Sequence, residues 1–148
     1  MRVMNAVLVL ALATGCGSER KQMLVWRQQR VSHVKAMIAP LIASSKTLPI
    51  KDGALDVYAL ARTGVIRPDS YAIFQSERGL PRDGDIERGD YKDFPYERYR
   101  GNGVLDRRYP VPLIWDKEPD AGGLLIVGMS DGAVRTMYVA EFKREFGG

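Results

Sequence analysis

The stretch from Val111 to Val139 constrains the fold most, because it holds two long strand signals joined at a turn that few residue pairs can make. Leu124-Leu-Ile-Val-Gly-Met129 is continuous and apolar, the pattern of a strand covered on both faces. Asp131-Gly132 follows, and a tight hairpin there needs positive φ, which glycine adopts at little steric cost. Val134, Thr136 and Tyr138 then alternate with Arg135, Met137 and Val139, as a strand with two unlike faces does. Before them, Pro110 and Pro112 open the segment ending in Trp115-Asp116. Neither proline can donate to a ladder, so this strand starts late or runs along an edge. Pro119 to Gly123 is a turn, and Glu141 to Phe146 closes the chain as a short helix with Phe142 and Phe146 on one side. The expected class is α+β.

The 148 residues are 27% charged and 45% hydrophobic, enough for one globular unit with a modest core and too apolar for wholesale disorder. The net charge of +4 is spread over interleaved acids and bases. No basic stripe with aromatics between its charges exists, so nucleic acid is not the expected partner, while contact with anionic lipid headgroups is compatible with the charge.

One cysteine, Cys16, excludes an internal disulfide. Arg2, the apolar run Ala6 to Ala13, and small residues before Cys16 have the order of a secretory signal, and the run is too short to span a bilayer. Ala13-Thr14-Gly15-Cys16 resembles the lipobox of bacterial lipoproteins. The resemblance implies removal of residues 1–15, with acyl chains such as palmitate on Cys16 as the new N-terminus. Residues 16–22 would then be a tether. Gly17 is not aspartate, which by the family's sorting rule implies the outer membrane, on its periplasmic face.

From Gln22 onward, Leu24, Val31, Val34, Ile38 and Leu41 recur at helical spacing. Arg27, Gln28, Arg30, Ser32 and Lys35 are expected toward water, and Pro40 is expected to kink or end the helix near Ala39. Trp26 and Met23 are core candidates, with contact at the membrane surface as the alternative. His33 is the only histidine, and without a second ligand at helical spacing no zinc site can be assembled around it. Neither a metal nor a cofactor is expected.

Asp52-Gly53 is a turn, Ala54 to Ala61 a short helix, Gly64 a helix-ending glycine and Tyr71 to Gln75 a short strand. Residues 76–103 are polar and rich in Gly, Pro, Asp and Arg, and a loop of that length in a small domain is functional or mobile. A partner-binding surface of Tyr91, Tyr96, Tyr99 and Arg100 is one reading, since Tyr and Arg dominate interface hot spots. Calcium held by Asp83, Asp85, Glu87, Asp90 and Asp93 is another, against which Arg82, Arg88 and Lys92 are interleaved. A solvated loop with its tyrosines folded back on the sheet is the third.

No GxSxG, GxxxxGK[ST], HExxH or paired CxxC occurs, so an enzyme is not expected. The alternative is a small envelope hydrolase or carbohydrate-binding enzyme that pairs Asp116 with Glu118 or Asp120.

Pro112-Leu113-Ile-Trp-Asp116-Lys117, Gly122-Gly123, Asp131-Gly132 and Val134 resemble bacterial pilin-like and pseudopilin-like proteins, in particular those ending in His, nine residues, then Asp-Gly. Tyr96-x-x-Tyr99-Arg-Gly101 and Leu60-x-x-x-Gly64-Val-Ile66 add to the likeness. It implies one N-terminal helix packed on a small antiparallel sheet, with a domain over 23–148. The family's two histidine positions are Ala121 and Ala133 here, and a lipobox stands in place of a prepilin motif and a long apolar helix. The implied role is a binding or assembly component of a secretion or pilus-type apparatus, engaging another envelope protein. A secreted pseudopilin relative without lipid is a further alternative.

Overall fold

The computed structural model describes residues 2–43, 47–62, 64, 84–88 and 94–147, with the backbone alone for 2–16, 60, 61, 87 and 88. The sequence-predicted strand at 71–75 and the exit cluster at 44–46 lie outside the described residues.

The architecture is α+β. A long helix, α1 (Arg2–Ala43), precedes a small hairpin, β1 (Ile50–Lys51) and β2 (Ala54–Leu55). Two short helices follow, α2 (Tyr58–Arg62) and α3 (Asp85–Arg88). The four strands β3 (Tyr96–Arg98), β4 (Pro112–Asp116), β5 (Leu124–Met129) and β6 (Val134–Tyr138) form one antiparallel sheet in the order β3-β4-β5-β6. Helix α4 (Val139–Phe146) ends the chain.

The sheet is covered on both faces, which is why β5 reads as an unbroken apolar run. Ile126 and Gly128 face α1, where Val34, Met37, Ile38 and Leu41 are buried. Gly128 is fitted to that helix: a Cβ there would stand 2.7 Å from Val34 Cγ1 and 2.8 Å from Ile38 Cγ2. Leu125, Val127 and Met129 point the other way, against Met137, Trp115 and Phe142 beneath α4. The one-residue alternation of a strand therefore divides two cores.

The β5–β6 turn is a three-residue loop, Ser130-Asp131-Gly132. Gly132 N–H donates to Met129 O at 3.0 Å, Met129 N–H to Ala133 O at 2.9 Å, and Gly132 sits at φ 88°. This is a type I turn closed by a left-handed glycine, with Asp131 Oδ1 accepting from Ala133 N–H at 3.0 Å. Pro112 occupies the first position of β4, where a missing N–H does least harm, so the strand starts late and lies inside the sheet.

Three expectations need correction. Pro40 does not end α1, which continues to Ala43 because Leu41 beyond it is fully buried against the sheet. Leu24 does not join the apolar face: it is 50% exposed, since α1 meets the sheet mainly from Val31 onward. Residues 54–61 are not one helix. The Asp52-Gly53 turn, with φ 53° and 75°, folds Ala54 and Leu55 back on Lys51 and Ile50. Only then does α2 begin, where Asp56 Oδ1 accepts from Ala59 N–H at 3.2 Å and the carboxylate pairs with Arg62. The hairpin is joined to the chain beyond β3 through Leu55 N–H to Tyr99 O at 2.8 Å and Leu48 N–H to Gly103 O at 2.9 Å.

Candidate functional site

Among the described residues, those singled out in the sequence do not form one exposed surface. Cys16 is carried on α1, and its side chain lies outside the described residues, as does Tyr91. Tyr96 is not on a loop. It opens β3 and is 1% exposed, because the strand alternation that puts Glu97 in solvent turns Tyr96 into the core under α1. Tyr96 therefore presents no surface to a partner, a correction to the four-residue surface expected from the sequence. Tyr99 is half-buried and Arg100 exposed. Asp83, Asp90 and Asp93 of the calcium reading lie outside the described residues. Among the described residues, no three His, Cys, Asp or Glu side chains gather where a metal ion would fit.

The most elaborate polar arrangement lies where α1 crosses the β4–β5 connection. Arg27 and Arg30, three residues apart on α1, face the sheet and not the solvent, which corrects their expected exposure. Arg27 Nε donates to Asp120 Oδ2 at 2.7 Å. Arg30 pairs with Asp116, whose other oxygen accepts from Ile126 N–H at 2.8 Å. Asp116 is 4% exposed and ends β4 inside the domain. The Arg30 guanidinium also lies 5.0 Å from the Tyr96 ring centre and 5.8 Å from that of Trp26.

Asp120 organises the turn itself. Its Oδ1 accepts from Gly122 N–H at 2.8 Å and Leu124 N–H at 3.1 Å. Partial burial pushes its carboxyl up. The Leu124 N–H, the Arg27 guanidinium and the Gly122 N–H together outweigh that and hold it below the ordinary value. Burial pushes the Tyr96 hydroxyl up, against the pull of Arg30, and among the described residues this hydroxyl has no hydrogen-bond partner. His33, half-buried on α1, is pushed down by burial and by the neighbouring Arg30 charge.

Both lone-pair-bearing oxygens of Asp116 are thus engaged by an arginine and a backbone amide. A carboxylate so held is a fastener between helix and sheet. The sequence holds two arginines three apart on the helix and two aspartates about one strand connection, but no local pattern pairs the one with the other.

At the other end of the sheet, the segment between β3 and β4 sends Leu105 and Val111 toward the core and exposes much of the rest. Val104 is 63% and Tyr109 69% exposed, and Arg108 pairs with Asp106 at 3.0 Å. Ser130 N–H donates to Val111 O at 2.9 Å, which fixes this segment beside the β5–β6 hairpin. Arg27 of α1 instead meets Asp120 at the β4–β5 end, while Ile42 is the α1 residue nearest Gly132. The helix enters at one end of the domain, and Val104 and Tyr109 stand at the other.

Among the described residues, no helix is long and apolar enough to cross a membrane. Comparison with protein-family models, with curated proteins and with solved structures finds no match.

Proposed function

We propose that this chain is a lipid-anchored protein of the bacterial cell envelope, a non-catalytic binding or assembly component with a pilin-like domain. The observation that carries the reading is the order Arg2, apolar run, Ala13-Thr14-Gly15-Cys16, followed directly by a helix that docks on an antiparallel sheet. Removal of residues 1–15 would leave an acylated Cys16 at the head of α1, eleven residues before Arg27 grips the domain. The occupied carboxylate of Asp116 supports a non-catalytic role over the hydrolase alternative. The helix-on-sheet arrangement supports the pilin-like likeness, and the lipobox favours an anchored component over a polymerising subunit.

The test is the intact mass of the N-terminal peptide from native membranes, beside a Cys16→Ser control. An acylated Cys16 and loss of the control from membranes are expected. An unmodified Cys16, or a retained leader, overturns the anchored reading.

The partner in this reading is another envelope protein, met at the end of the domain farthest from Cys16. Exposed Val104 and Tyr109, with Arg100 and Arg107 nearby in sequence, support that location. A photo-crosslinking residue at position 109 is expected to trap one discrete envelope protein that the same residue at position 138 does not. Equal trapping at both positions sinks the assignment.

A further inference from the structure

The two rims of the sheet differ. Just past β3, the chain is taken up by the β1–β2 hairpin through Leu55 N–H to Tyr99 O at 2.8 Å. The sheet ends at β6, and among the described residues no backbone group reaches Val134 or Thr136 from outside it. Helix α4 leaves this rim uncovered, because Phe142 reaches inward, beneath the sheet, to Trp115 of β4.

The ladder decides which backbone groups are left over. Met129 N–H donates to Ala133 O at 2.9 Å, which fixes the phase of the β5–β6 pairing. Arg135 and Met137 therefore turn their N–H and C=O groups toward β5, and Val134, Thr136 and Tyr138 turn theirs outward. Tyr138 N–H is taken by Glu141 Oε2 at 3.0 Å, so the open donors are those of Val134 and Thr136. Sheet rims are commonly blunted by proline, by bulges or by charge. Strand β6 has no proline and pairs with β5 without a register shift. Its one charge, Arg135, lies on the α4 side, where Glu145 holds it at 2.7 Å and 3.0 Å.

We propose that β6 pairs antiparallel with β6 of a second copy of this chain, Thr136 facing Thr136 across a twofold axis. Each Thr136 N–H then donates to Thr136 O of the other copy, and each Val134 N–H to Tyr138 O of the other copy. The occupied Tyr138 N–H is not called upon. Val134, Thr136 and Tyr138 share the α1 side of the sheet, through their partners Gly128, Ile126 and Leu124. Tyr138, 56% exposed, is thereby laid against the half-buried Val134 of the other copy, an aromatic and β-branched cross-strand pair. On the α4 side Arg135 meets Met137. The neighbouring register, with Val134 opposite Thr136, would set Arg135 directly against Arg135, and like charges so placed are destabilising. A twofold contact requires one self-complementary patch, and in the Thr136 register this rim is such a patch. The inference does not depend on the lipid anchor.

The experiment follows the full-length chain in detergent by sedimentation equilibrium at concentrations up to about 1 mM. A dimer is expected, and p-benzoylphenylalanine at position 138 should link to the peptide of a second copy that carries Val134. Thr136→Pro should weaken the dimer by roughly 25-fold, about fivefold for each of the two intermolecular hydrogen bonds lost. Its missing N–H points outward, so the β5 ladder is left whole. Tyr138→Ser, which leaves the backbone unchanged, should weaken the dimer as well and decides the matter if the proline variant fails to fold. A chain that stays monomeric, or a dimer indifferent to these substitutions, overturns the proposal. So does a link from position 138 to another part of the second copy or to a different protein.

Discussion

The two faces of the sheet are held by different physics. Beneath α1 the contact is aliphatic packing pinned by directional ion pairs, Arg27–Asp120 and Arg30–Asp116. Beneath α4 it is aromatic and non-directional: Trp115 and Phe142 ring centres are 5.3 Å apart, and Phe142 and Phe146 5.4 Å. The only ion pair described there, Arg135–Glu145 at 2.7 Å, is exposed on both sides. Aliphatic packing alone tolerates a helix sliding along a sheet, whereas a guanidinium that must meet one buried carboxylate does not. The long helix is therefore fixed in register where it leaves the domain, and the short C-terminal helix is simply buried.

The largest effect should come from breaking that register contact. Asp116→Ala leaves the Arg30 guanidinium buried without its counter-charge and frees the Ile126 N–H, at a cost of about 3–5 kcal/mol in urea unfolding. Replacing both partners, with Arg30→Met and Asp116→Leu, should restore much of that loss, because an apolar pair avoids the desolvation penalty. A single Asp116→Ala variant as stable as the parent would show the α1 face to be held by packing alone, as the α4 face is.

Phe142→Ala comes next, at about 3 kcal/mol, because it empties the centre of the Trp115–Phe142–Phe146 cluster. Arg135→Ala on the same face should leave the unfolding midpoint unchanged, since an exposed pair contributes little. If the ion pair proved the more important of the two, the contrast between the faces would collapse.

Tyr96→Phe sharpens the comparison with the opposite sign. The hydroxyl is buried with no hydrogen-bond partner among the described residues, so its removal should raise stability by about 1 kcal/mol while the ring keeps its contact with Arg30. A loss of stability would mean that the hydroxyl is engaged after all.

How much of this was legible differs between the same two regions. The Asp131-Gly132 turn, the doubly covered β5 and the Phe142/Phe146 side of α4 are local patterns, and each can be read within ten residues. The clamp is not local: Arg30 and Asp116 are 86 residues apart, and nothing in either neighbourhood names the other. Tyr96 misled for a related reason. Its segment is polar and interrupted by Gly and Pro, and β3 exists only because β4 supplies a ladder for three residues of it. Of the expected site residues, Arg100 alone is both described in full and well exposed, while Cys16 rests on its sequence pattern.

The smallest effect separates the faces by acidity. His33 and Asp120, both tied to α1, have pKa values lowered on folding, so the unfolded chain binds their protons more readily. The contribution of His33 is whole above its unfolded value of about 6.5 and is lost as pH falls through the lower folded value. That of Asp120 is whole above about 4 and is lost only in stronger acid. Stability should therefore fall in two shallow steps on acidification, the first absent in His33→Gln and the second made smaller by Asp120→Asn, with urea midpoints followed from pH 7.5 to pH 3. On the α4 face, Glu145 is also lowered by Arg135 but stands in solvent, so Glu145→Gln should leave both steps in place. A first step that survives His33→Gln would place the acid sensitivity somewhere other than beneath the long helix.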